Sequence, residues 1–364
     1  MRLKYKKKTF TINLRLKSYI CFMQIHHKSF LLHFKNPSGT SRGVLTHKET
    51  FILSLEDKHQ KHLGECGLFR GLSADDHPDY EQKLRTICTE FDFSNPNWWQ
   101  ELREYPSIQF GLEQIRKAHE ISKIHPSNDP YNPILFPSDF TKGEKGIPIN
   151  GLIWMGNIDF MKSQIKEKLD QNFHCIKLKI GVNWAEEKEI LKNLRKEFSK
   201  EDLELRVDAN GAFSFEDAKA VLHELADLHV HSIEQPIKAR QTEEMAELCA
   251  QTPTPIALDE ELIGVFYEKD KYELLRKIKP QYIILKPSLV GGWKGSEEWI
   301  EAAENQNINW WITSALESNL GLNAIAQWTF GWNNSMPQGL GTGGLFINNF
   351  HSRLKVVGDN LFFL

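Results

Sequence analysis

The sequence has few of the features that mark secreted, membrane-spanning or zinc–thiolate proteins. Its five cysteines are scattered and include no Cys-x-x-Cys pair, which argues against a disulfide framework or a thiolate zinc site. No run of apolar residues reaches the length, about 20, that crosses a bilayer. We therefore predict a cytoplasmic protein of a reducing compartment.

Acidic residues are missing from the first 48 positions, which carry eleven lysines and arginines, whereas the remainder has 34 basic and 48 acidic residues. Such a start is found in transit peptides and nucleic-acid-binding arms, but no apolar core or small-residue cleavage site accompanies it. We expect residues 1–22 to form a disordered extension, with no nucleic-acid or membrane partner. Translation that starts at Met23 is a hypothesis that the intact mass of the native protein tests.

Two hydrophobic patterns divide the rest of the chain. Residues 23–130 read as strands followed by helices, an α+β arrangement, with a long Gly-, Ser- and Pro-rich loop at 35–43. Residues 147–344 alternate short apolar strands with amphipathic helices in eight units, which favours a closed parallel barrel over an open doubly wound sheet. No Gly-x-Gly-x-x-Gly follows the first strand, which weakens a dinucleotide-binding interpretation.

Charged residues end five successive predicted strands. In HCIKLKIGVNW, residues 174–184, Lys177 and Lys179 alternate with aliphatic residues and so share one face of a strand. The next four strands end in turn with Asp208, Glu234, Asp259 and Lys286. Because the carboxyl ends of barrel strands meet at one mouth, and buried charges need partners or a metal, the pattern predicts an active site there.

The residue types indicate the chemistry. Asp208, Glu234 and Asp259 supply three carboxylates at intervals of 26 and 25 residues, about one strand–helix unit each. Hard oxygen ligands without Cys or His select Mg²⁺, with Mn²⁺ as the alternative. Lys179 stands near Lys177 and the expected cation, and like charge favours the neutral lysine that can act as a general base. The cation would stabilise the enediolate that forms when a substrate loses its α-proton.

This set of residues resembles that of the enolase superfamily, and the resemblance covers nearly the whole chain from about residue 25. It implies an α/β fold: a modified (β/α)7β TIM-type barrel over 147–344 and an α+β capping domain over 23–130, on which the tail 345–364 packs. The Lys-x-Lys motif, the three ordered carboxylates and Lys286 match the muconate-lactonizing-enzyme-like subgroup. The His–Asp pair that the mandelate racemase subgroup requires is missing.

Longer motifs are most similar to the o-succinylbenzoate synthase family. They are PSGTSRG (37–43), GECGLFRGLS (64–73), LRVDANGAF (205–213), SALESNLGLNAIAQW (314–328) and GLGTGGLF (339–346). The similarity implies a Mg²⁺-dependent lyase of menaquinone biosynthesis, which dehydrates the cyclohexadiene carboxylate SHCHC to o-succinylbenzoate. It further implies that Lys179 takes the α-proton and protonates the departing hydroxyl, that Lys286 stabilises the intermediate from the opposite face, and that Lys177 tunes Lys179.

Four further residues are candidate substrate contacts. Arg206 and Asn210 share a strand face with Asp208 and would point into the mouth, where Arg206 either attracts a substrate carboxylate or pairs with a metal ligand. Ser314 ends the seventh strand and either binds the succinyl group or caps a helix. Arg42 lies in segment 37–43, which is either a lid or an ordinary surface loop.

An isomerase is the alternative function. An N-acylamino acid racemase would use the same metal, with Lys179 and Lys286 as two bases on opposite faces of the substrate. A dipeptide epimerase would carry Asp-x-Asp on the eighth strand, where this chain reads GLGTGG. A non-catalytic binding barrel is a third class, against which the complete set of ligands and lysines argues. The pattern leaves a monomer and a homo-oligomer both open.

Overall fold

The computed structural model of the chain describes residues 24–40, 43–57, 60–126 and 129–364. The basic extension 1–22 and the candidate contact Arg42 lie outside these residues. Within the described ranges, no helix combines the length and the apolar character that crossing a membrane requires.

The N-terminal domain is a small antiparallel sheet covered by helices. Its strands pair in chain order. Its elements are β1 (Gln24–Thr40), β2 (Gly43–Glu56), β3 (Lys61–Glu65), α1 (Tyr80–Glu90), α2 (Trp98–Glu101) and α3 (Pro106–Ser122). Because alternate side chains of a strand share one face, Phe51, Leu53 and Leu55 of β2 are all fully buried, in one core with Leu84 and Ile108 of the helices. The prediction of an α+β capping domain is confirmed.

The described residues of the segment predicted as a loop, 35–40 and 43, lie in strands. Pairing between β1 and β2 resumes at Ser38 after a register shift, which accommodates Pro37 because proline has no N–H to donate to the ladder. Gly39 then bridges Met155 of the barrel, and a Cβ at Gly39 would lie 2.8 Å from the Met155 carbonyl oxygen. The part of β1 around Gly39 therefore packs directly against the barrel.

The second domain alternates parallel strands with helices. After the short β4 (Ile147–Pro148), seven strands form one parallel sheet in which neighbours along the chain are neighbours in space. They are β5 (Gly151–Ile153), β6 (Cys175–Lys179), β7 (Glu204–Asp208), β8 (Ser232–Glu234), β9 (Ile256–Leu258), β10 (Tyr282–Leu285) and β11 (Asn309–Ile312). The helices are α4 (Ile158–Asp170), α5 (Trp184–Glu197), α6 (Phe215–Asp227), α7 (Thr242–Gln251), α8 (Glu268–Ile278), α9 (Pro287–Val290), α10 (Gly292–Glu304) and α11 (Asn319–Gly331).

The eighth strand of the barrel is reduced to two residues. Gln338 makes a parallel bridge to Ile149, just before β5, and Gly339 makes one to Thr313, just after β11. The weak strand predicted near 338–342 thus joins the first and last strands of the sheet. The fold is a (β/α)7β barrel with a capping domain, which confirms the predicted fold class.

The C-terminal tail contacts both domains. Phe346 bridges Phe34 of β1, and Phe350 stacks on Phe30 with ring centroids 4.8 Å apart. Beyond these contacts, β12 (Leu354–Val357) and β13 (Asn360–Phe363) form a hairpin that pairs with β4. The first part of the tail therefore packs on the capping domain, and its last two strands pair with β4, which precedes the barrel strands.

A buried carboxylate joins the two domains. Glu65, at the end of β3, is fully buried and accepts hydrogen bonds from the backbone N–H groups of Ser318 and Gly321, each at 3.0 Å. The hydroxyl of Thr50 donates to the same side chain at 2.8 Å. Ser318 is the N-cap of α11, so Glu65 satisfies the free N–H groups at the start of a barrel helix. This contact unites two of the motifs noted above, GECG and LESN.

We expect Glu65→Ala to lower the free energy of unfolding by about 3–5 kcal/mol, because it leaves buried donors without an acceptor. Urea denaturation followed by tryptophan fluorescence measures the effect. Glu104→Ala, which removes an exposed carboxylate of the same domain, is the control. A midpoint for Glu65→Ala equal to that of the control would contradict the role given to Glu65.

Candidate active site

Strand register brings the charged residues to one level of the barrel. In the parallel pairs, Lys179 of β6 is opposite Asp208 of β7, and Asp208 is opposite Glu234 of β8. Every residue of β6 is buried, as expected for a parallel strand that helices cover on its outer face. Ile176 and Leu178 take the outer face, and both are fully buried. The lysines that alternate with them consequently point into the barrel.

Ammonium groups and carboxylates alternate across the mouth. Lys179 Nζ lies 2.5 Å from Asp208 Oδ2, and Lys177 Nζ lies 3.2 Å from the same oxygen and 2.6 Å from Glu234 Oε2. Lys286 Nζ lies 3.7 Å from Glu234 Oε1 and also contacts Asp259 Oδ2. The three carboxylates are thus linked through lysines. The structure brings together all six residues that the sequence pattern singled out.

Opposite charge, rather than like charge, dominates around Lys177. Burial lowers the pKa of Lys177, but the carboxylates of Glu234 and Asp208 outweigh burial and raise it above its ordinary value. Burial would raise the pKa of Asp208, yet Lys179 and Lys177 hold it well below its usual range. The two lysines share a strand face as predicted, but a carboxylate oxygen of Asp208 contacts both of them.

Asp259 and Lys286 form a second buried pair on the far side of the mouth. Burial, reinforced by the charges of Glu260 and Glu234, raises the pKa of Asp259 well above its ordinary value despite the adjacent Lys286. Burial lowers the pKa of Lys286, but the charges of Asp259 and Glu234 raise it above the ordinary lysine value. Asp259 and Lys286 stand directly after β9 and β10, at the carboxyl ends of their strands.

The donor set fits a hard divalent cation. The three side chains offer carboxylate oxygens only, which Mg²⁺ prefers. Among the described residues, Glu234 Oε1 is buried and has no hydrogen-bond donor, an arrangement that costs free energy unless a cation or water satisfies the oxygen. Asp208, Glu234 and Asp259 are each at most 2% exposed. A divalent cation bound here would therefore interact with three carboxylates that are shielded from water.

Next to these charges lies a cavity that both domains line. Lys177, Lys179 and Lys286 contribute to its wall, as do the predicted contacts Asn210 and Ser314. Asn210 Oδ1 accepts a hydrogen bond from Lys179 Nζ at 2.8 Å, and the Ser314 hydroxyl lies 2.6 Å from that of Thr342. Ser314 is therefore not the cap of α11, because Ser318 holds that position.

Arg206 lies away from the cavity wall. It is 1% exposed, donates to Glu204 Oε1 at 2.6 Å and to the carbonyl of Pro337 at 2.9 Å, and stacks on the ring of Trp311. It shares a strand face with Asp208 but stands two residues nearer the start of β7. Neither of its hydrogen-bond partners, Glu204 and Pro337, is a predicted metal ligand or lies at the mouth. Arg206 therefore fills the barrel interior below the site.

Several residues of the cavity escaped the sequence analysis. The capping domain contributes Leu45, Phe69 and Leu72, and the barrel contributes Asn150 and Trp154. Asn150 Oδ1 is buried without a hydrogen-bond partner in the described part of the chain, which makes it a candidate substrate contact. The site was predicted from charged residues at strand ends, and uncharged side chains do not contribute to that pattern. Phe69 and Leu72 do lie in the motif GECGLFRGLS, the one feature that could have drawn attention to them.

Comparison with known proteins gives a family match and relatives of similar length. Residues 161–350 match the family model described as "Enolase C-terminal domain-like". The chain is 43% identical over 368 residues to the o-succinylbenzoate synthase of Desulfotalea psychrophila (strain LSv54 / DSM 12343), and the match covers 93% of this chain and 98% of that protein.

Solved structures have the same fold. The crystal structure of MenC from Desulfotalea psychrophila LSv54 superposes with a TM-score of 0.80 at 40% identity, over 94% of this chain and 99% of that one. A dipeptide epimerase from Enterococcus faecalis V583, complexed with Mg and the dipeptide L-Leu-L-Tyr, has a TM-score of 0.79 over 94% of this chain and 96% of its own, but only 19% identity. This chain therefore belongs to the enolase superfamily and, within it, to the o-succinylbenzoate synthase family.

Proposed function

We propose that the protein is a carbon–oxygen lyase that dehydrates SHCHC to o-succinylbenzoate, in menaquinone biosynthesis. The observation that carries this proposal is the 43% identity to an o-succinylbenzoate synthase over nearly the full length of both chains. The substrate is then a small carboxylate that binds in the cavity between the cap and the barrel. Four cysteines in the described ranges are free, which supports a reducing, cytoplasmic location.

Asp208, Glu234 and Asp259 would hold the divalent cation, Mg²⁺ or alternatively Mn²⁺. Their buried, all-oxygen donor set and the unsatisfied Glu234 Oε1 support this assignment. When bound, the cation supplies positive charge that stabilises the negative charge developing on the substrate carboxylate. The structural relative complexed with Mg has the same fold, which supports Mg²⁺ as the first cation to test.

Lys179 would act as the general base and then as the general acid. Its Nζ takes the α-proton, and the C–H electron pair delocalises into the adjacent carboxylate as an enediolate. When the C–O bond breaks, Lys179 returns the proton to the departing hydroxyl, which leaves as water, and the ring becomes aromatic. One side chain can serve both steps because, in a syn elimination, the proton and the hydroxyl leave from the same face.

Lys286 would stabilise the anionic intermediate from the opposite face. It follows β10 and Lys179 ends β6, four strands apart in an eight-stranded barrel. Lys177 lies within 3.2 Å of the Asp208 oxygen that contacts Lys179, and we assign it the role of positioning that carboxylate and tuning Lys179. Asn210, Ser314 and Asn150 line the cavity and are the proposed polar contacts to substrate.

Racemisation of an N-succinylamino acid tests the alternative function, because two lysines face the cavity from opposite sides. We expect a higher kcat/KM for SHCHC dehydration than for racemisation of N-succinyl-phenylglycine, measured with the same Mg²⁺-loaded preparation. Racemisation that is faster than dehydration would reverse the assignment and make Lys286 a second base.

A further inference from the structure

Three side chains of types that bind metal meet in the capping domain, apart from the barrel mouth. Asp57 follows β2, His62 lies in β3, and His119 lies in the last turn of α3. One ligand atom from each lies within 4.8 Å of the other two. We propose that Asp57, His62 and His119 form a second metal site, which binds one Zn²⁺ ion where the β2–β3 hairpin meets α3.

Two of the three ligand–ligand distances match those around a tetrahedral ion. Nε2 of His62 lies 3.4 Å from Asp57 Oδ2, and Nδ1 of His119 lies 3.3 Å from the same oxygen. Two ligands bound to Zn²⁺ at its usual bond lengths, with a tetrahedral angle between them, are about 3.4 Å apart. Imidazole with one carboxylate suits zinc better than Mg²⁺, and a three-ligand site leaves the fourth position for water.

Two other His–Asp pairs in the described ranges are closer than those of the cluster. His174 Nδ1 lies 2.8 Å from Asp359, and His351 Nε2 lies 3.0 Å from Asp129. In the cluster, by contrast, two histidines face one carboxylate oxygen at longer distances. Within the described ranges, His119 Nδ1 is buried, and its 3.3 Å contact with Asp57 Oδ2 lacks the geometry of a hydrogen bond. A buried ring nitrogen in that state costs free energy, which a bound cation would offset.

Neighbouring groups orient the Asp57 carboxylate and influence the charge of the two histidines. The backbone N–H of Gln60 donates to Asp57 Oδ1 at 2.8 Å, which orients the carboxylate with Oδ2 toward the histidines. Burial lowers the pKa of His62 and of His119 below the ordinary value, although Asp57 acts in the opposite direction. Burial therefore favours the neutral imidazole, which is the form that binds metals. The partial negative charge at the end of the 17-residue α3 also favours a cation, while the positive charge of Lys123 opposes it.

A bound ion would fasten the hairpin to the helix. Asp57 and His62 stand on either side of the β2–β3 turn, and His119 belongs to a different element. Metal binding would therefore stabilise the folded capping domain, because the unfolded chain does not hold these ligands together. The site is independent of the proposed dehydration, since none of its residues lines the cavity at the mouth.

Cobalt titration of the full-length, untagged protein tests the proposal. The protein is stripped with EDTA and saturated with Mg²⁺, which would fill the proposed carboxylate site, and Co²⁺ is added as a spectroscopic substitute for Zn²⁺. We expect one equivalent to give the strong visible absorption of tetrahedral Co²⁺, and one equivalent of Zn²⁺ to abolish it. His62→Gln and His119→Gln should each lower the affinity by more than about 100-fold, while His174→Gln, which alters an ordinary His–Asp pair, should bind as the wild type does.

Thermal unfolding separates a lost ligand from a lost fold. We expect Zn²⁺ to raise the Tm of the wild type and of His174→Gln, but not that of either cluster variant, while all four proteins still convert SHCHC. No tetrahedral Co²⁺ spectrum at one equivalent, or unchanged affinity in folded His62→Gln and His119→Gln, would overturn the proposal.

Discussion

Replacing Lys179 with alanine should lower kcat for SHCHC dehydration by about 10³-fold or more, because a positioned general base contributes on that order and this lysine is proposed to act in both proton transfers. The Nζ of Lys179 contacts Asp208 and Asn210 and faces the cavity. The carboxylates stay in place in the variant, so Mg²⁺ affinity measured by calorimetry should be retained. The loss should therefore appear in the proton-transfer step.

A second variant separates the charge of Lys179 from its chemistry. Lys179→Arg keeps a positive charge but cannot deprotonate near neutral pH, so it should be as inactive as Lys179→Ala. Lys196→Ala, at an exposed position on α5, is the matched control and should have wild-type kcat. Turnover by folded Lys179→Ala within 10-fold of the wild type would assign the base to another residue.

Replacing Glu234 with glutamine should weaken Mg²⁺ binding by about 100-fold or more, because a neutral amide replaces one of three anionic ligands. Glu234 is 2% exposed, and its charge also pairs with Lys177 at 2.6 Å. Isothermal titration with MgCl₂ measures the affinity, and Glu243→Gln, at an exposed position of α7, is the control. Wild-type Mg²⁺ affinity in folded Glu234→Gln would remove Glu234 from the ligand set.

The two variants should respond differently to excess magnesium. Activity of Glu234→Gln should rise as the Mg²⁺ concentration is raised, because the loss is in binding and mass action can compensate for it. Activity of Lys179→Ala should not rise, because its loss is in proton transfer. Rescue of Lys179→Ala by Mg²⁺ would mean that the lysine supports the metal rather than the substrate.

The sequence predicted the charged part of the site because barrel topology is regular. One charged residue at each strand end, repeated at the spacing of a strand–helix unit, suffices to place Asp208, Glu234 and Asp259 side by side once the strands are parallel. The same reasoning does not predict how far a side chain lies from the mouth of the barrel. Arg206 lies on the same face of β7 as Asp208, as predicted. It is two residues nearer the start of the strand than Asp208, where it contacts Glu204 and the ring of Trp311.

The contribution of the capping domain could not be read from local patterns. Leu45, Phe69 and Leu72 reach the cavity only because the β1–β2 hairpin and the segment after β3 pack on the barrel, a contact between residues far apart in the chain. Segment 35–43 has the composition of a loop, yet its described residues belong to β1 and β2, and Gly39 closely approaches Met155. Tertiary packing overrides local propensity at these positions.

The most direct test of the proposed reaction follows the loss of diene absorbance when the purified protein meets SHCHC and Mg²⁺, with EDTA added to a parallel sample. We expect rapid decay with Mg²⁺, little beyond the spontaneous rate with EDTA, and o-succinylbenzoate as the product. Decay at the spontaneous rate by folded, Mg²⁺-bound protein would contradict the assignment of dehydratase activity to this site.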